Sequence, residues 1–294
     1  MFQNIKDYAD RSETLKEARE NVREISIIKE ITVFILLYLI ILIVPMLIRN
    51  YYTSIYVNMV NKLDVVYILI DLFGVILIPI FIYIIVKKLE KRSFRSVGVS
   101  KDNVLPSVLR GAGIGFIMFL AVVIIGFLLG QYKYNGFDLS SLILLIPFLL
   151  GFFVQSFGEE IQDRGWVISF IYKRHSIIAA IIVSGLIFSI SHLLNSGIDI
   201  VSLTNIFLIG LLFAVLFIKY DNIWICGSAH AAWNFSQGVL FGFTVSGDTT
   251  TPSLLKFSQI SENVIGGGQF GHESSLIATF VISIGLILAL YIKR

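Results

Sequence analysis

A polytopic bundle of α-helices in a lipid bilayer is the fold class this sequence predicts, and three observations predict it. Of its 294 residues 56% are hydrophobic and 15% charged, against about 45–50% and about 25% in soluble domains. The apolar residues fall into runs of about 20, the length that crosses a bilayer as a helix. Little sequence is left between the runs for a soluble domain.

Eight runs stand out, near residues 30–48, 65–86, 109–130, 139–157, 177–194, 200–218, 223–244 and 276–292. The run at 30–48 follows about thirty charged and polar residues and has no small-residue cleavage site behind it, so it reads as a retained first span, not a signal peptide. Residues 1–29 read as a cytoplasmic charged segment. Mixed charge at helical spacing from Asp7 to Lys29 predicts a solvated or membrane-surface helix there. Residues 30–138 supply the first spans and 139–294 the remaining transmembrane core, with a polar, Gly-rich loop at 245–275.

Basic residues orient the bundle. Setting Arg164 aside, eighteen Lys and Arg fall before the first span and in alternate loops, while only Arg49, Lys62, Lys133 and Lys256 fall on the other side. That bias predicts cytoplasmic N- and C-termini. The loops also account for the net charge of +3, so no nucleic-acid partner is called for. The single cysteine, Cys226, excludes an intrachain disulfide.

Against this apolar background the polar residues are conspicuous, because an ionisable group at bilayer depth costs about 2.5–3.5 kcal/mol or more unless partnered. Glu160 and Arg164, Phe188 and His192, and His230 and Asn234 are each four residues apart, so each pair shares one face of its helix. Glu159 points about 100° away from Glu160, which allows the two carboxylates different tasks. Depth adds a constraint. At about 1.5 Å per residue, His192 and His230 lie about 25 and about 13 Å from the cytoplasmic face. The carboxylates reach them only if the fourth helix runs on past residue 157 to Tyr172, so a long fourth helix carrying the Glu-Glu pair, bent near Pro147, is predicted.

A buried carboxylate beside an imidazole is a candidate general base for water, and a second His with an Asn can stabilise an oxyanion. Peptide-bond hydrolysis without a covalent intermediate needs that set. A Cys226–His230 nucleophile, four residues apart, is an alternative. A buried Glu160–Arg164 pair also suits a purely structural role. Asp71 stands alone in the second run, His175 reads as interfacial, and His272-Glu273 reads as a polar loop end.

In that order on successive helices, Glu159-Glu160-x-x-x-Arg164, Phe188-x-x-x-His192 and His230-x-x-x-Asn234 resemble the signature motifs of the CAAX prenyl protease and bacteriocin-processing (CPBP) family of intramembrane proteases. The resemblance spans roughly residues 140–290 and implies roles for these positions. Glu159 would activate water, with His192 holding the same molecule. His230 and Asn234 would form the oxyanion site, and Glu160 and Arg164 would bind substrate or fix the helix. No cofactor is implied. A divalent metal is the alternative, although no HExxH spacing is present. Implied partners are a membrane-associated peptide or protein substrate and the bilayer itself. Composition and length point to a bacterial plasma membrane and to peptide processing or bacteriocin self-immunity. Two other classes fit buried polar helices: a non-catalytic immunity or scaffold protein, and a proton-coupled transporter. Neither an internal repeat nor paired broken helices supports the transporter.

Overall fold

The computed structural model of the chain describes residues 2–20, isolated helical positions between 28 and 51, 60–247 and 252–292. Most of the predicted first span, 30–48, lies outside the described residues. Two short helices, α1 (Phe2–Arg11) and α2 (Glu13–Glu20), precede it. There follow α3 (Val60–Gly74), α4 (Leu77–Ile84), α5 (Val104–Leu128), α6 (Leu145–Glu160), α7 (Ile168–Tyr172), α8 (Ile177–Ser191), α9 (Ile200–Tyr220), α10 (Ile223–Phe235) and α11 (Leu276–Tyr291).

Among the described residues, four continuous helical stretches are long and apolar enough to cross a membrane: Val65–Leu89, Val104–Leu128, Leu139–Tyr172 and Ile200–Tyr220. Helices α8 and α11 are apolar but shorter. The fourth predicted run does not stop at 157. It extends through 34 residues from Leu139 to Tyr172. Pro147 stands third in α6, as Pro79 does in α4 and Pro106 in α5. In the first turn the absent N–H has no intrahelical partner to lose. The stretch departs from α geometry at two places, a 3-10 turn at Leu139–Leu144 just before α6 and a π-helical stretch at Ile161–Val167 directly after the glutamates. Stretches of the π kind widen a helix and frequently mark functional sites.

The long helix packs against α10, and α10 packs closely on α5. Two glycines of α5 make that approach possible. A Cβ on Gly115 would stand 2.0 Å from the Ala229 carbonyl oxygen, and one on Gly111 2.1 Å from Ser228 Oγ. Small residues at a helix crossing replace the hydrophobic driving force that lipid does not supply.

Two expectations are refined. The described N-terminal helices are partly buried against the bundle rather than wholly solvated. Leu15 and Ala18 are fully buried, and residues 12–14 cap onto Asp221, whose carboxylate accepts from the Ser12 hydroxyl and from the Glu13 and Thr14 amides. Mixed charge at helical spacing marks the helix but not what its apolar side meets. The loop at 245–275 is more structured than its composition suggests. Its strand β2 (Leu255–Gln259) pairs antiparallel with β1 (Tyr132–Phe137), Tyr134 opposite Phe257, with a bulge before Phe137 where Gly136 takes φ 125°. Three loops then join at one end of the bundle. Asn195 donates to the Ser246 carbonyl at 3.0 Å, Ser246 N donates to Glu273 at 2.7 Å, and the Ser274 hydroxyl donates to Asp199.

Candidate active site

Glu159 and Glu160 close α6 just where it passes into the π-helical stretch, and the 100° between them separates their environments. The Glu160 side chain is wholly buried. Its Oε2 pairs with Arg164 Nε at 3.1 Å, off the axis of a hydrogen bond, and its Oε1 lies 3.0 Å from His230 Nδ1. A carboxylate only accepts, so His230 donates through Nδ1–H and turns Nε2 outward. Arg164 is held further by Asp163 at 3.8 Å and by aromatic faces, its guanidinium carbon 4.2 Å from the Phe188 ring centre and 5.7 Å from that of Phe213. Phe213 also stacks on the His230 ring at 5.2 Å. Glu160, Arg164 and His230 thus form one buried block spanning α6, its π-helical continuation and α10.

Glu159 is different. Its side chain retains 22% exposure, and Oε2 faces His230 Nε2 at 4.0 Å. That Oε2 has no hydrogen-bond partner. The other oxygen accepts from Gln155 Nε2 at 2.6 Å, and Gln155 Oε1 in turn accepts from Asn234 Nδ2 at 3.1 Å. Nothing in the sequence marks Gln155 as a site residue by charge or motif. Its only signal was its place one helical turn before Glu159, on the same face.

His192 caps the C-terminal end of α8. Its Nδ1 lies 2.8 Å from the Phe188 carbonyl oxygen and 3.2 Å from Ser191 Oγ. The carbonyl fixes the proton on Nδ1, which leaves Nε2 as an acceptor in the neutral ring. The structure therefore brings Glu159, Glu160, Arg164, His230 and Asn234 into one contact network and sets His192 beside it through Phe188, whose ring meets both His192 (4.9 Å) and His230 (5.9 Å). Cys226 is fully buried, its thiol donating to the Ile223 carbonyl at 3.3 Å. Among the described residues no group of three His, Cys, Asp or Glu side chains is placed to hold a metal ion.

The predicted polar loop end is also corrected. His272 is buried within an aromatic box, 4.4 Å from the Tyr132 ring and 3.6 Å from that of Phe243, with neither ring nitrogen hydrogen-bonded. Burial drives its pKa down to about 3. The neighbouring Glu273, which accepts from Ser246, is pushed up to about 7, chiefly by burial. No sequence rule gave this, because the burial arises from three loops folding together.

Residues 140–236, the stretch that carries all three motifs, match the family model of type II CAAX prenyl endopeptidase Rce1-like proteins. This segment is of the CPBP family. No curated protein matches the chain. With four bilayer-length apolar helices and a CPBP segment, the chain is a multi-pass membrane protein, and the family is one of proteases. The match takes in α6 to α10 and leaves the N-terminal helices, α5 and the loop bearing Glu273 outside it.

Proposed function

We propose that the chain is an intramembrane endopeptidase that hydrolyses a peptide bond of a membrane-associated peptide or protein, with Glu159 as general base. The observation that carries this reading is the asymmetry of the two glutamates: Glu160 has one oxygen ion-paired with Arg164 at 3.1 Å and the other 3.0 Å from His230 Nδ1 with no side-chain exposure, whereas Glu159 keeps 22% exposure and one oxygen with no hydrogen-bond partner, 4.0 Å from His230 Nε2. A carboxylate held in that way can take a proton from water. Water oxygen attacks the carbonyl carbon while its proton passes to Glu159, and His192 Nε2 holds the same water. Oxyanion charge is met by an N–H of Asn234 and, in its imidazolium form, by His230 through Nε2–H, since Nδ1–H is committed to Glu160. The proton on Glu159 then moves to the amide nitrogen, the C–N bond breaks, and carboxylate and amine leave. Glu160 and Arg164 fix the His230 ring and the helix, as a pre-formed donor requires. Eight spans with both termini in the cytoplasm of a bacterial cell fit the basic-residue bias, and processing of a peptide precursor or self-immunity to a bacteriocin is the cellular role that fits such a site.

The test is cleavage of membrane-anchored peptide precursors by purified wild type and Glu159→Gln, matched for thermal stability, with and without chelator. Cleavage by wild type, loss of at least about 10²-fold in the variant and indifference to chelator support the mechanism. Abolition by chelator replaces the carboxylate mechanism with a metal-dependent one. A cellular phenotype that survives Glu159→Gln, with no cleavage by either protein, points to a binding role.

A further inference from the structure

We propose that Gln155 is a positioning residue of this site, a relay that ties the carboxylate of Glu159 to the side-chain amide of Asn234, so that the charge on the base fixes the orientation of the Asn234 amide. The inference rests on the hydrolytic reading above.

Gln155 lies on α6 one turn before Glu159, and Asn234 comes from α10, so the relay joins two helices as well as two catalytic groups. Its direction is dictated by hydrogen-bond chemistry. An ionised Glu159 has no proton to give. The 2.6 Å contact therefore requires the NH₂ end of Gln155 at Glu159 Oε1. That choice turns Gln155 Oε1 toward Asn234, which must answer with Nδ2–H, at 3.1 Å. The Ser156 hydroxyl donates to the same Oε1 at 3.1 Å and reinforces the orientation. Reversing either amide would set oxygen against oxygen or NH₂ against NH₂. An amide nitrogen carries two hydrogens, so one N–H of Asn234 is committed to Gln155 and the second stays available to an oxyanion. The relay has a second effect at the base. Holding Oε1 leaves Oε2 as the oxygen that faces His230 Nε2 and takes the proton from water.

A helix-to-helix clip of no chemical consequence would show the same contacts, and variants separate the two. Gln155→Leu removes the donor to Glu159 and the acceptor for Asn234. Gln155→Glu keeps an acceptor for Asn234 but sets a second carboxylate against the first. For a relay, kcat falls about 10–100-fold in Gln155→Leu, the worth of a hydrogen bond to a charged group, with KM little changed. The acid limb of the pH–rate profile moves to higher pH, further in Gln155→Glu. Adding Asn234→Ala to Gln155→Leu costs much less than the product of the single losses, because the two act as a unit. An unshifted pH profile with multiplicative losses overturns the proposal.

A readout without turnover separates this failure from failure of the protease reading. Infrared difference spectra of protein labelled with ¹³C-glutamate, taken against Glu159→Gln, isolate the Glu159 carboxylate stretch. Gln155→Leu shifts that band if Gln155 donates to it. A band unmoved by the substitution in folded protein overturns the relay whether or not a peptide is cut. A moved band in a protein that cuts nothing upholds the relay and sinks the protease reading instead.

Discussion

Replacing Arg164 by Leu is a test of the buried block because both it and Glu160 have fully buried side chains. The substitution removes the ion pair with Glu160 at 3.1 Å, the weaker one with Asp163 at 3.8 Å and the stacking on Phe188. Glu160 keeps only His230 Nδ1. Breaking a buried pair from one side costs about 3–5 kcal/mol, because the remaining charge is left uncompensated. At about 2–4 °C per kcal/mol for a chain of this size class, unfolding should fall by about 6–20 °C. Glu160→Gln should cost less, since an amide oxygen still accepts from His230 Nδ1–H and Arg164 retains Asp163. The double variant, with neither charge to strand, should be more stable than the sum of the single losses predicts, by about 1–3 kcal/mol.

The chain carries its own reporter for this cycle. Cys226 is the only cysteine and is fully buried on α10, so a thiol-reactive dye labels it only as the bundle opens. Heating the four proteins in the same detergent with such a dye gives the four midpoints. A drop under about 2 °C for Arg164→Leu, or strict additivity in the double variant, would refute the claim that this buried pair anchors the long helix.

Other outcomes follow from the same packing. Gly115→Val should destabilise strongly or prevent assembly, because even a Cβ would stand 2.0 Å from the Ala229 carbonyl oxygen; cysteine labelling at room temperature reads the loosened α5–α10 contact. His272 and Glu273 should give opposite pH dependences. His272 has its folded pKa lowered from 6.5 to about 3, so its contribution is intact above 6.5 and is lost as pH falls from there toward 3, by about 1.4 kcal/mol per unit. Glu273 is raised from 4.5 to about 7, so its contribution grows as pH falls from 7 to 4.5 and is lost as pH rises through 7. Between pH 6.5 and 4.5 they oppose each other. His272→Phe should therefore become more stable on acidification and Glu273→Gln less stable, and parallel melting curves for the two variants would sink the assignment.

How much of this could be read from the chain depends on whether a residue's partners lie on its own helix. The i,i+4 spacing gives Glu160 with Arg164 and separates Glu159 from both, and the structure keeps that division. The extension of the helix past 157 was legible from the depth at which His192 and His230 must be met. Gln155 was not, because a single glutamine in an apolar run carries no charge to demand a partner, and its value comes from Asn234 on another helix. The aromatic box around His272 was hidden for a related reason. Phe119, Tyr132, Phe243 and His272 come from four separate stretches, and no local periodicity encodes their meeting.

The same distinction explains why adjacent glutamates can differ so much. In water two neighbouring carboxylates would be near equivalents. On a helix packed against α10, a 100° rotation takes one into a block where Arg164 and His230 occupy both its oxygens and leaves the other with a single donor. The first is costly to disturb and chemically quiet, and the second has an oxygen available for a proton. Burial of Glu160 is therefore not separate from the chemistry proposed for Glu159: the ion pair that anchors the helix also turns Nε2 of His230 toward the oxygen that would do the work.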